Sequence, residues 1–471
     1  MKNSLTKRSL LILIVCTFVG CFALLSGMVL NSVNHYINAL LIILSAIVLY
    51  FGIVLGPANR NWLDVRAVFS LMWFGTIGLA TLRLVDYQET WQNMTWVILA
   101  LAYGGLMIGS TLGMIYGPRL YRKIQSAFGK IKFRHLQFHM KENRLFTICV
   151  ITTVIGLICF MINVAIKGYI PCFSDSTTAY LDFYTKFHIF STATTGVSGL
   201  CFYCIRKQPL KLWKKIVLGL CIFYLVFAFP VMVVSRGIFM VAALSLIASI
   251  FYTCGKRFWA LVLSIVLVMG VYLFTSTLRN YTDQQLSSIF QPSQITRPSD
   301  PDSDSDTDPP FASFQLSPRM AFLYGYVTVS HDNLNEAVQN RQSYTWGLRQ
   351  LPPINVILQN DWIAQTNVDA EYYTVTPNLK TTNLVGDFYY DFGAIGVLIF
   401  MLLWSFVFGA IQGVHEMTQG PFSLLALGNT MTPVALCFFD SWMSIFSFWL
   451  FWGVTFLFAV AACTTKTPKN H

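Results

Sequence analysis

An all-α polytopic membrane protein is the fold class this sequence predicts, and three observations predict it. The chain is 55% hydrophobic and 11% charged over 471 residues, with 39 Phe and 12 Trp, a balance no soluble domain of that size tolerates. Apolar runs of about 20 residues, enough to cross a bilayer, recur along it. Lysine and arginine collect in short segments between those runs, as cytoplasmic loops do.

Taken in order, the apolar runs predict spans near 9–30, 36–56, 67–85, 93–117, 145–167, 187–205, 216–234, 238–254, 258–277, 392–412, 421–440 and 442–463. About twelve spans in one integral membrane domain covering 1–471 is the self-consistent count. Lys2, Lys7 and Arg8 precede the first run, and the segment 118–144 carries eight Lys/Arg against one Glu. RKQPLKLWKK covers 206–215, and Lys256 and Arg257 interrupt a later apolar stretch. An inside N-terminus puts every basic cluster on the cytoplasmic face and returns the tail TTKTPKNH there. These anchors account for the formal charge of +11, so a nucleic-acid partner is not required. The first run is too long for a signal-peptide core and reads as a retained anchor. The eleven cysteines are odd in number, lie mostly inside spans and match neither a disulfide framework nor a zinc spacing.

Two segments fall outside the bilayer. The smaller, near 168–187, mixes polar and aromatic residues and suits the interface. The larger, 278–381, contains Arg279, Arg297, Arg319, Arg341 and Arg349 but only one lysine, Lys380. Within it, the acidic, Pro/Ser-rich stretch 296–310 predicts disorder, and its aspartates lack the ligand-and-glycine spacing of a calcium loop. PRMAFLYGYVTVSHDNLNEAV (318–338) has helical apolar spacing, and the remainder to Lys380 is proline-punctuated loop. Arginine's planar fork grips phosphate through two parallel bonds, whereas lysine is a compact point charge. An arginine-stocked loop held against a membrane therefore points to an anionic, lipid-attached substrate.

Arg236 lies in VMVVSRGIFMVAA (231–243), a hairpin at the outer face. It is either a guanidinium fixed at headgroup depth or an arginine snorkelling to the interface. Asp387 and Asp391 in GDFYYDFG are four apart, hence on one helical face, with Tyr390 beside them. They either meet loop arginines in a polar cavity or sit at a helix N-terminus whose dipole welcomes acids. His331 is the one histidine of the long loop and could exchange a proton near neutral pH, or be an incidental surface residue. Asp332 beside it is a competing base. GPANRNWLDVR (56–66) weakly suggests a transporter loop, but charged residues within the spans are too few for an ion relay.

The SRG hairpin, the YGY segment from Tyr324 to Leu334, WGLRQLPPI (346–354) and TNLVGDFYYDFGAIG (382–396) occur in that order. Together they resemble the Wzy-type bacterial oligosaccharide repeat-unit polymerases, from about 231 to 413; the first half matches in hydropathy only. The acidic 296–310 stretch departs from that pattern. The resemblance implies a GT-C-like enzyme of the bacterial plasma membrane working at its outer leaflet. Its substrates would be undecaprenyl-diphosphate-linked oligosaccharides of O-antigen, capsule or exopolysaccharide, with a flippase and a chain-length regulator as possible partners. No metal or other cofactor is expected. Arg236, Arg279, Arg319 and Arg349 are the diphosphate candidates, His331 the leading base and Asp332 the alternate. Tyr324, Asn383, Asp387, Tyr390 and Asp391 would shape the substrate cavity. An O-antigen ligase, another lipid-phosphosugar glycosyltransferase or a flippase are the other readings.

Overall fold

With no water in a bilayer to satisfy backbone groups, apolar segments of this length can cross only as helices or a closed barrel. The computed structural model describes residues 7–56, 61–85, 87–130, 142–174, 182–183, 185–255, 316–341, 343–350, 373–376 and 379–462, with scattered positions at 259–270. Among these residues the regular elements are all helical. In order they are α1 (Lys7–Val33), α2 (His35–Val54), α3 (Val65–Thr81), α4 (Asn93–Lys130), α5 (Glu142–Lys167), α6 (Lys186–Ala193) and α7 (Ser198–Lys207). There follow α8 (Leu212–Val233), α9 (Arg236–Thr253), α10 (Pro318–Asn340), α11 (Gly386–Thr418), α12 (Pro421–Ala435) and α13 (Phe446–Ala462).

Seven of the described helices (α1, α2, α4, α5, α8, α9 and α11) are long and apolar enough to cross a membrane, fewer than the spans the sequence predicts. The difference has local causes. The run expected at 187–205 is split into α6 and α7 by a 3-10 turn at Thr195–Val197. There Ser191, Thr192, Thr194 and Thr195 each return a hydroxyl hydrogen bond to a carbonyl three or four residues back, a pattern that bends helices. α3 and α13 are apolar at 17 residues each, and α12 has 15. The span expected at 258–277 lies largely outside the described residues, as do the acidic stretch 296–310 and the tail 464–471.

The tightest packing joins α4 to α11. Gly105, Gly109, Gly113 and Gly117 repeat every fourth residue, so one face of α4 carries no side chains and the α11 backbone lies directly on it. A Cβ on Gly113 would stand 2.0 Å from the Phe406 carbonyl oxygen, and one on Gly409 of α11 2.0 Å from that of Ser110. Both obstructions are backbone and cannot rotate away. Gly113→Val is expected to separate the pair and cost at least the 1–3 kcal/mol typical of overpacking, roughly. Detergent-extracted variant eluting and melting like wild type would contradict this.

Of these seven helices α9 is the most enclosed: 72% of its apolar window is buried inside the protein. At one end of the bundle Asp64 caps α3 and pairs with Arg66 at 2.6 Å, while Gln412 of α11 donates to Asp64 and accepts from Val65 N. The described end of the weak transporter-like segment, 61–66, thus forms an interhelical clasp. The N-termini of α9 and α11 and the C-terminus of α3 gather at the opposite end, beneath α10. The buried ring of Tyr390 and the stacked Phe388 and Phe400 lie there as well.

Candidate functional site

α10 begins at a proline, which suits the first turn of a helix, and carries the run SHDNLN near its C-terminus. The polar side chains of that run reach other segments of the chain. Ser330 donates to the Phe438 carbonyl. Asn333 Nδ2 donates to the Leu379 and Thr381 carbonyls at 2.8 and 2.7 Å, and its Oδ1 accepts from Val375 N. Asn335 Oδ1 accepts from Gln92 N and Thr95 Oγ1. α10 is therefore stitched to the α3–α4 connection, to the segment before α11 and to the segment after α12.

His331 and Asp332 belong to this stitching. His331 is 0% exposed; its Nδ1 accepts from Asn383 Nδ2 at 3.1 Å, which leaves Nε2–H to donate to Thr76 Oγ1 at 3.0 Å. The Trp73 ring meets it edge-on at 5.5 Å. Burial pushes the imidazole down to about 3, so it is neutral at physiological pH. Both ring nitrogens are engaged, and proton uptake from a substrate would require Asn383 to turn away. Asp332 is 2% exposed and accepts from Trp91 Nε1 at 2.8 Å and Gln88 Nε2 at 3.0 Å. The Tyr324 hydroxyl lies 2.9 Å from Oε1 of that Gln88 side chain and 2.7 Å from the Leu79 carbonyl.

Burial raises Asp332 to about 7 against the hydrogen bonds from Gln88 and Trp91 and the Arg83 charge. An acid raised above its unfolded value of about 3.9 stabilises the fold fully below that value and loses the contribution as pH climbs through the folded one. The melting advantage of wild type over Asp332→Asn is thus expected to shrink between pH 5 and pH 8, by an amount on the order of a few kcal/mol at most. A difference constant across that range would contradict the assignment.

Arg236 is the first residue of α9. Val234 turns the chain in the left-handed region (φ 55°), and Ser235 caps the helix by accepting from Ile238 N. The guanidinium is 2% exposed and lies 5.1 Å from both the Phe322 and Tyr326 ring centroids of α10. It borders a cavity of about 440 Å³ walled by α2, α3, α9, α10 and the segment 436–439. That volume is in the usual range for ligand sites, roughly 300–1,000 Å³. Arg236 is the one charged residue among those lining it; most others are aliphatic or aromatic, including Leu71, Leu79, Leu323 and Phe438. Leu71 and Leu79 are 36% and 37% exposed, so the cavity reaches the outer surface of the bundle.

A second arginine group surrounds Tyr390. Arg349 and Arg341 hold their guanidinium carbons 4.2 and 4.3 Å from its ring centroid. Arg349 also reaches Asp387 at 3.5 Å, and Asp391 Oδ1 accepts from Thr345 Oγ1 at 2.5 Å and from Arg349 N at 3.2 Å. The four-residue spacing of the two acids thus aims both at the turn 345–350. Tyr373 stacks on Tyr390 and donates its N–H to that hydroxyl at 2.8 Å. Arg341 Nε is buried with no hydrogen-bond partner among the described residues. Burial, then the Arg349 charge, holds the Arg341 guanidinium below its ordinary value. An anion docked here would relieve that repulsion.

The structure thus brings Arg349, Asp387, Tyr390 and Asp391 into one cluster, with Arg236 at the nearby cavity. Tyr324, His331, Asp332 and Asn383 form the scaffold between them. Arg319 is exposed at the start of α10, and Arg279 lies outside the described residues. Arg341, Tyr373 and Asp440 were not singled out from the sequence. Arg341 was visible as one of five loop arginines, but nothing in its neighbours distinguishes it. Among the described residues no group of His, Cys, Asp and Glu has metal-binding geometry. Comparison with protein-family models, with curated proteins and with solved structures gives no match.

Proposed function

We propose that this protein is a membrane glycosyltransferase that polymerises undecaprenyl-diphosphate-linked oligosaccharide repeat units at the outer face of the bacterial plasma membrane. In this reading about twelve spans place both termini in the cytoplasm and α10 outside. The observation that carries it is a buried arginine, Arg236, on the wall of a mostly apolar cavity. A prenyl chain suits the apolar wall and a diphosphate suits the guanidinium. As the sugar–phosphate bond breaks, charge accumulates on the departing diphosphate. A preorganised arginine in a low-dielectric site stabilises that charge without a metal. The Arg341–Arg349 group provides a second anion-attracting position, and Tyr390 and Tyr373 give it an aromatic wall.

The test is reconstitution of the purified protein in liposomes with lipid-linked repeat units as the sole substrate. A ladder of lengthening lipid-linked chains is expected. Transfer that occurs only once, and only when a second acceptor lipid is added, would make the protein a ligase. Translocation of intact units without transfer would make it a flippase and overturn the enzymatic reading.

A further inference from the structure

The segment 436–445 between α12 and α13 joins the two arginine groups. Leu436, Phe438 and Phe439 line the apolar cavity, and the Phe439 ring lies 4.8 Å from that of Tyr326, over which Arg236 sits. On the other side, the Ser444 hydroxyl lies 3.4 Å from Gln350, the neighbour of Arg349. Between these ends stands Asp440. The residues flanking it are held by two partners: Leu384 N donates to the Cys437 carbonyl at 2.7 Å and the Leu384 carbonyl accepts from Ser441 Oγ at 3.4 Å, while Ser330 donates to the Phe438 carbonyl. Four of the described aspartates at this end of the bundle lie close to the two arginine groups. Asp332, Asp387 and Asp391 are at most 2% exposed and paired with protein donors, whereas Asp440 keeps partial access and, among the described residues, accepts a bond from Ser441 N at 2.7 Å alone.

We propose that Asp440 is the catalytic base of the transfer reaction, an inference that rests on the glycosyltransferase reading above. The acceptor sugar's hydroxyl oxygen forms the new bond to the donor's anomeric carbon. The bond from that carbon to the diphosphate oxygen breaks, and its electron pair leaves on the diphosphate. The hydroxyl proton passes to the Asp440 carboxylate. A carboxylate held on a braced turn between two cation sites is placed to meet an acceptor while the donor's diphosphate is gripped beside it. The charged group acting on it is Asp387 of α11, itself paired with Arg349; Arg236 of α9 lies farther off, beyond Phe439 and Tyr326. Burial and the Asp387 charge raise its carboxyl to about 7, partly offset by the Ser441 N–H, which matches proton exchange near neutrality.

The experiment compares wild type, Asp440→Asn and Asp440→Glu in liposomes supplied with lipid-linked repeat units, measuring both capture of the lipid-linked unit and turnover at saturation from pH 5.5 to 8.5. A missing general base costs about 10²–10⁴-fold in rate. Asp440→Asn is therefore expected to capture substrate as wild type does but turn over at least about 100-fold more slowly. It is also expected to lose the acidic limb of the wild-type profile, along which activity rises as Asp440 deprotonates. Asp440→Glu should retain part of the turnover. Asp440→Asn turning over within about threefold of wild type, or losing capture and turnover together, overturns the assignment while leaving the glycosyltransferase reading in place. A wild-type protein that captures these substrates without any transfer overturns that reading itself.

Discussion

Arg236→Ala is expected to reduce polymer synthesis by about 100-fold or more, the usual consequence of removing one preorganised donor from developing negative charge. Full burial makes the effect large: in a low-dielectric wall no water replaces the lost cation, and the neighbouring Phe322 and Tyr326 rings cannot substitute for it. Arg236→Lys retains the charge but not the planar fork, and its ammonium is costlier to strip of water between two rings, so little activity should return. The check is chain length and amount in cells whose own copy carries each variant, with membrane levels of the protein measured in parallel. Alanine-variant cells that build polymer of normal length at normal protein levels would remove the diphosphate role from this residue.

Arg349→Ala is expected to act on the fold as well as on activity. Asp387 is 2% exposed and lies 3.5 Å from Arg349, so truncating the arginine leaves a buried carboxylate without that cation. Breaking a buried pair from one side costs about 3–5 kcal/mol, because the remaining charge keeps its desolvation penalty. Adding Asp387→Asn removes that stranded charge. The double variant should recover much of the lost thermal stability while polymer synthesis stays low. Recovery of both together would make the pair purely structural; recovery of neither would show that Arg349 holds the turn 345–350 through its ring contact with Tyr390 instead.

The legible parts of this molecule were those written in local spacing. Hydropathy alone marked α1, α2, α4, α5, α8, α9 and α11 as membrane helices. The four-residue interval between Asp387 and Asp391 put both on one face, and both do turn toward the 345–350 segment. The SRG hairpin singled out Arg236, which opens α9. What stayed hidden depends on long-range contact. A histidine in a polar helical run reads the same whether it faces water or, like His331, is enclosed between Thr76 and Asn383, each more than fifty residues away in sequence. Asp440 sits in CFFDSW and was absorbed into an apolar run, because one aspartate barely lowers its mean hydropathy. The glycines of α4 recur at small-residue spacing, but only the approach of α11 shows what that face is for.

Photo-crosslinking would show whether the Arg236 cavity takes a prenyl diphosphate. Purified protein in liposomes would be irradiated with a polyprenyl diphosphate carrying a photoactivatable group in its first isoprene units, and the labelled peptides sequenced. Adducts are expected to concentrate on α3 around Leu71 to Leu79 and on α10 around Leu323 to Val327. They should be displaced by unlabelled undecaprenyl diphosphate and lost in Arg236→Ala. Adducts spread evenly over the exposed faces of α1, α2 and α5, indifferent to competitor and to Arg236, would contradict it.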